Sequence, residues 1–306
     1  MPAFNPGIHF QTALDSILGQ SLGSFELLIM DDGTTDGSLD ILKDAPDPRI
    51  RLITNPGNLG LVATLNKGLE LARGRYIARM DSDDVAHPER LARQLSHMQA
   101  HPDIAILGTW SRTIGDGVTP WETHHPAHHA DIVSQMLFNT GLTHPSVMLD
   151  AQQLRAHGLC YRATNLHAED YDLWARACQT ITLANLPEVL LDYRIHGKQV
   201  SSSHQDAQRQ SARRVREGLI RDLGLDLTAT EAALHHRISE YDWPRDPTFA
   251  SDAHIWLKRL SSTIAKTHPE LKTFVRGICQ SKTLEIHKHV HQRKHRLQRA
   301  LIKYTY

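Results

Sequence analysis

An α/β fold with a mostly parallel, doubly wound sheet is predicted by three observations. Short apolar runs alternate with amphipathic helical stripes over residues 10–108. The runs are four to eight residues long, as buried strands are, and Gly74 and Pro88 punctuate the pattern where helices stop or start. Two of the runs lead straight into acidic loops, Asp31-Asp32-Gly33 and Asp81-Ser82-Asp83-Asp84. Such βαβα alternation favours parallel strands with helices on both faces.

The elements follow in order. Ala13, Leu14, Ile17 and Leu18 recur at helical spacing and predict a helix over residues 10–22. Phe25 to Met30 reads as a buried strand, and Asp36 is placed to cap a helix running through Ile41 and Leu42. Ile50 to Thr54 is a second strand. Leu61, Leu65, Leu69 and Ala72 form one helical stripe that stops near Gly74. Tyr76 to Met80 is a third strand, Pro88 opens a helix through about residue 99, and Ile104 to Gly108 is a fourth strand. Between residues 110 and 145 the periodicity weakens, which predicts loops and short elements over the working edge of the sheet. A helix from Tyr171 to Ala177 and a strand from Val189 to Ile195 follow, and beyond residue 203 the pattern is nearly all helical.

The chain has 306 residues, 40% of them hydrophobic and 22% charged, enough for one large α/β domain and a smaller appendage. The expected boundary separates residues 1–203 from a helical extension over 204–306. Thirty-four acids balance thirty-four Lys and Arg, so there is no electrostatic footprint for nucleic acid. The 21 histidines would add positive charge below roughly pH 6.5. Cys160, Cys178 and Cys279 are scattered and odd in number, which argues against a disulfide framework and fits a cytoplasmic setting. No apolar run reaches membrane-spanning length, and Met1 leads directly into Pro2-Ala3-Phe4-Asn5 without the features of a secretory leader.

Three carboxylate clusters carry the chemistry: Asp31-Asp32, Asp81-Ser82-Asp83-Asp84 and Glu169-Asp170. In open α/β sheets ligands bind beyond the carboxyl ends of strands. Carboxylates this close repel unless a cation lies among them, and hard oxygen donors suit Mg2+ or Mn2+ better than zinc. Asp81 and Asp83 point to one side of an extended chain, so one can grip a metal while the other meets a metal-bound water or a ribose. Solvated loop ends and helix caps are the plainer reading of each cluster taken singly. For Asp170, which opens a helix, that reading is an N-terminal cap. His124-His125-Pro126-Ala127-His128-His129 is better read as a loop than as a zinc site, because Pro126 breaks any helix that would align the rings.

An ordered set of segments then resembles one family. They are Met1 to Asn5, Ala13 to Ser21, Phe25 to Ser38, Asn58-Leu59-Gly60-Leu61 and Leu65-Asn66-Lys67-Gly68. Gly74 to Asp84, His144 to Met148, Ala168 to Trp174 and Tyr193-Arg194-Ile195-His196 complete it. Together they are similar to the family-two glycosyltransferases with the GT-A fold, of the bacterial cell-surface polysaccharide type. The resemblance covers about residues 1–203. It implies an inverting, metal-dependent transfer of a hexose or N-acetylhexosamine from a UDP-sugar to a hydroxyl of a surface glycan or lipid-linked acceptor. Pro2, Ala3, Phe4 and Asp32 would lie against the base and ribose, with Asn58, Lys67, Arg79 and Asp81 in the donor site. Asp81 and Asp83 would form the DxD metal motif, with His196 at the metal or the diphosphate. Asp170 would be the general base, with Glu169 beside it.

Two rivals remain: a catalytically weak or inactive nucleotide-sugar-binding relative, and a sugar-phosphate nucleotidyltransferase. The second usually has a Gly-rich basic loop after its first strand, which this sequence lacks. The similar proteins also run an apolar strand into the Pro2–Asn5 segment, and Met1 stands where that strand would end. The expectation is therefore a first strand cut short, in a weakened chain or one whose start lies upstream. The basic tail, with Lys288, Arg293, Lys294, Arg296 and Arg299, reads either as a solvated helix face or as a peripheral contact with anionic membrane.

Overall fold

The computed structural model describes residues 1–44, 47–196 and 205–291. Three parallel strands, β1 (Pro2–Ala3), β2 (Leu27–Asp31) and β3 (Ile50–Thr54), form one sheet in that spatial order. Helix α1 (Phe10–Leu18) buries Phe10, Ala13, Leu14 and Ile17 in one apolar cluster with Leu27 and Ile29 of β2. It stops at Leu18, short of the expected residue 22, where Gly19 closes it through its N–H on the Asp15 carbonyl at 2.9 Å. Asp36 does receive a first-turn N–H, from Ser38 at 3.0 Å, ahead of the short α2 (Ile41–Asp44). Helix α3 (Leu61–Leu71) returns the chain toward β4 (Tyr76–Ala78).

A second sheet contains β4, β5 (Val85–Ala86), β6 (Ile104–Ile114), β7 (Glu122–Thr123), β8 (Met148–Asp150) and β9 (Thr182–Arg194). Its order is β4-β8-β6-β9-β5, with β7 added to β6. Only β6 and β9 run parallel here; the other pairings are antiparallel. The parallel character read from the sequence thus belongs to the first sheet and to this central pair. An apolar run shows that a strand is buried, not which way its neighbour points. Strand β9 begins seven residues before the expected Val189, because Pro187 breaks the ladder at an irregularity rather than ending the strand. Helices α4 (Arg90–Ala100), α5 (His129–Met136), α6 (Ala151–Ala156) and α7 (Glu169–Ala177) cover the sheet.

Between β2 and β4 lies an apolar slot of about 320 Å3, lined among others by Met1, Leu28, Met30, Leu65, Ala78 and Leu149. Strand β1 pairs only Pro2 with Met30 and Ala3 with Asp31. Met1 continues the contact, its amine donating to the Leu28 carbonyl at 2.9 Å.

The C-terminal part is helical, as expected: α8 (Gln205–Asp222), α9 (Ala229–Ser239), α10 (Pro247–Thr267) and α11 (Lys272–His291). Thr228 and Glu231 form a reciprocal capping box at the start of α9, and Asp246 caps α10. Leu219 and Ile220 of α8, Trp256 and Leu260 of α10, and Val275 of α11 enter the same apolar cluster as Leu137, Leu173 and Trp174. The extension is therefore built onto the back of α5 and α7 rather than around a core of its own. Among the described residues no helix is long and apolar enough to cross a membrane. Arg293, Lys294, Arg296 and Arg299 of the basic tail lie outside the described residues.

Arg216 of α8 is 1% exposed and reaches Glu240 at 3.1 Å, which also holds Arg213 at 2.6 Å. Removing that carboxylate leaves a buried guanidinium without its counter-charge. Glu240→Ala is expected to lower the unfolding free energy by about 3–5 kcal/mol. Arg213→Ala, losing the more exposed partner, should cost less than about 1 kcal/mol. Urea unfolding of both variants checks the difference, and equal effects would refute this role for Arg216.

Candidate active site

The acidic loop after β4 is shaped by backbone pairing on both sides. Arg79 donates its N–H to the Val147 carbonyl at 2.9 Å, and six residues on β5 joins β9. The turn between them brings Asp81, Asp83 and Asp84 together, each offering an oxygen within 4.8 Å of the others. The period-two reading found Asp81 and Asp83. It missed Asp84, although the Asp-Ser-Asp-Asp run was its visible signal.

Each carboxylate is held differently. Arg79 forks onto Asp81, Nη1 to Oδ2 at 2.7 Å and Nη2 to Oδ1 at 2.6 Å. His196 Nε2 lies 2.9 Å from Asp83 Oδ2, and Arg194 donates its Nε–H to the Asp83 carbonyl at 2.8 Å. Asp84 accepts the Arg194 backbone N–H at 2.8 Å through Oδ1. Its Oδ2 is buried with no hydrogen-bond partner. Burial first, then repulsion from Asp81, raises Asp83 above the usual carboxylate range. Burial, with Asp81 and Asp83, raises Asp84 further. A buried carboxylate oxygen without a partner, beside two more carboxylates, is what a hard divalent cation would satisfy.

The donor-site candidates divide into two kinds. Asp32 is 4% exposed and accepts from Asn55 Nδ2 at 2.8 Å, Leu59 N at 2.9 Å and Gly60 N at 3.0 Å. It organises the 55–60 loop, and Lys67 supports it from behind by donating to Asn55 Oδ1 at 2.7 Å. Gly33 sits at φ +87°, and a Cβ there would come within 3.1 Å of the Asn58 nitrogen, so this close loop contact requires glycine. Ala3 is buried and accepts the Asp32 N–H at 2.8 Å, whereas Phe4 is 51% exposed. Pro2, Ala3 and Phe4 therefore end β1 next to Asp32, and Asn58 lies in the loop that Asp32 holds. Arg79 is 6% exposed with its fork taken by Asp81, so its charge acts on the site through that carboxylate.

Glu169 and Asp170 open α7, and no side chain caps that helix. Burial first, then Asp170, pushes Glu169 up to about 7. Burial also raises Asp170, against the pull of a Tyr171 backbone hydrogen bond and of Arg79. Asp170 is close enough to the acidic loop that Asp81 acts on it too. Of the two, Asp170 is part-exposed and Glu169 buried. Leu173 and Trp174, both fully buried, fasten the helix to the core.

The histidine run does not converge. His124 meets Glu122 at 2.7 Å and stacks on Trp110, while burial pushes His125 down to about 4. Tyr161 and His9 carried no sequence pattern, whereas His144 opens one of the family-like segments. Tyr161 hydrogen-bonds His144 Nε2 at 2.8 Å beneath the acids, and the His9 ring stands 5.6 Å from that of His196.

A glycosyltransferase with the GT-A fold is the class that this sheet arrangement and the comparisons define. The chain belongs to glycosyl transferase family 2, whose model matches residues 1–154. It is 34% identical over 203 residues to the O-antigen biosynthesis glycosyltransferase WbnJ of Escherichia coli, covering 62% of this chain and 76% of that one. The fold is shared with S. aureus TarS residues 1–349, solved in complex with UDP-GlcNAc. The TM-score is 0.60 at 16% identity, over 94% of this chain and 88% of that one. It is shared also with the mannosyltransferase PcManGT from Pyrobaculum calidifontis, solved with GDP-Man and Mn2+. There the TM-score is 0.57 at 14% identity, over 96% and 86% of the chains.

If the acidic cluster is a cation site, Mn2+ raises the melting temperature of the wild-type protein and a chelator reverses the shift. Asp83→Ala is expected to lose most of that shift. An undiminished shift in a thermal-melt titration of the variant would remove Asp83 from the site.

Proposed function

We propose that the protein is an inverting glycosyltransferase. It moves a hexose or N-acetylhexosamine from a UDP-sugar to a hydroxyl of a growing surface glycan or a lipid-linked acceptor. The observation that carries this reading is the Asp170 carboxyl, raised by burial at the first turn of α7 and acted on by Arg79 and Asp81 of the acidic cluster. The UDP-GlcNAc complex of TarS supports the donor, and the O-antigen role of WbnJ supports the acceptor class.

In this reading Pro2, Ala3, Phe4, Asp32 and Asn58 receive the nucleoside end of the donor. Asp81, Asp83 and the unpartnered Asp84 oxygen would hold Mn2+ or Mg2+, with His196 alongside; PcManGT was solved with Mn2+. The bound cation supplies positive charge where the leaving diphosphate accumulates negative charge. Asp170 accepts the proton of the acceptor hydroxyl. The freed oxygen attacks the anomeric carbon from the face opposite the diphosphate, and the electron pair of the breaking C–O bond leaves with the diphosphate. One displacement inverts the anomeric centre and needs no covalent enzyme intermediate.

Asp170→Asn keeps the shape and removes the basic oxygen. Turnover should fall by at least about a hundredfold while donor binding stays near normal. Release of UDP with Mn2+ present, rather than of pyrophosphate, reads the reaction class. Near-wild-type turnover would transfer the base role to Glu169.

The pH profile gives a second check. A base works only when deprotonated, and Asp170 is raised above its ordinary value of 3.8. Hence kcat/KM should fall as pH drops through a point above 3.8. A profile flat down to that value would contradict the assignment.

A further inference from the structure

We propose that His9 is a donor-binding residue that contacts the outer, sugar-bearing phosphate of the nucleotide diphosphate. The inference rests on the donor reading above and adds a residue to it.

His9 ends a short 3-10 turn, Gly7–His9, that runs directly into α1. Gly7 is tied down by Asp36 Oδ2, which accepts its N–H at 2.9 Å, so the turn is anchored to the loop after β2. The His9 ring is half-buried and tilted 32° to the ring of His196, with centroids 5.6 Å apart. His196 in turn lies 2.9 Å from Asp83. Arg194, Asp83 and Asp116 also act electrostatically on His9. Two imidazoles and a guanidinium thus gather on the Asp83 side of the acidic loop, while Arg79 is committed to Asp81.

That gathering has a chemical reading. A diphosphate held at Asp83 through a divalent cation carries oxygens that still need donors. An imidazole keeps at least one N–H in either protonation state, so His9 can supply one. The first turns of the 3-10 segment and of α1 contain no acidic residue of their own, and Asp36 is engaged by the Gly7 N–H.

The alternative is that His9 merely props His196. His9→Phe separates the two, because it keeps an aromatic ring against His196 and removes the N–H. The test is calorimetric titration of UDP and UMP in Mn2+, with GDP and GMP as a parallel pair. The expected result is a roughly tenfold loss of diphosphate affinity with unchanged monophosphate affinity and melting temperature. Wild-type affinity for the diphosphate, or an equal loss for mono- and diphosphate, overturns the proposal. If wild-type protein binds GDP but not UDP, the UDP assignment fails while His9 is still judged on the guanine pair. If it binds neither, both readings fall.

Discussion

The forked ion pair between Arg79 and Asp81 is the interaction on which the site depends. Around it, burial raises four carboxyls toward neutrality: Asp83, Asp84, Glu169 and Asp170. Arg79 works against that rise at Asp84, Glu169 and Asp170. It can do so because its own position leaves it little freedom. Its backbone N–H is in the sheet, its carbonyl accepts from Arg90 Nη2 at 2.6 Å, and its side chain is nearly sealed from water. A buried charge held this tightly is costly to desolvate. It contributes by fixing which neighbouring carboxylates stay ionised, more than by adding net stability.

The general-base candidate is held from the opposite direction. Helix α7 carries Glu169 and Asp170 at its first turn, and the buried Trp174 and Leu173 seat it in the cluster shared with the C-terminal helices. A polar chain reinforces the segment just before it. Arg214 of α8 donates to Asn165 Oδ1 at 3.1 Å, Asn165 donates to Asp172 at 2.8 Å, and Arg176 holds Asp172 at 2.9 Å. His235 of α9 lies 2.7 Å from the Leu137 carbonyl at the end of α5. The extension thus bears on chemistry by bracing the helix that presents the carboxyls.

Much of this was legible in particular residues. Phe25 to Met30 and Tyr76 to Met80 read as strands feeding acidic loops, and β2 and β4 form there. The limits are equally specific. His129 to Met136 is a buried helix inside a stretch read only as loops and short elements, since eight residues are too few to show a helical period among so many histidines. The resemblance put Lys67 in the donor site, and its ammonium hydrogen-bonds Asn55 in the loop that Asp32 holds. Arg79, placed in the donor site by the same resemblance, has its fork taken by a carboxylate two residues away.

By itself the sequence determined the alternation of elements, the helical character of the C-terminal third, and the carboxylate clusters at strand ends, because periodicity and short acidic runs are local properties. Only the tertiary structure decided that Asp84 joins Asp81 and Asp83, that Arg79 neutralises Asp81, and that His9 meets His196 across 187 residues of chain. It alone decided that the C-terminal helices share a core with α7. Those outcomes depend on which distant segments share a buried volume. That follows from packing and charge compensation across the fold, which no local pattern encodes.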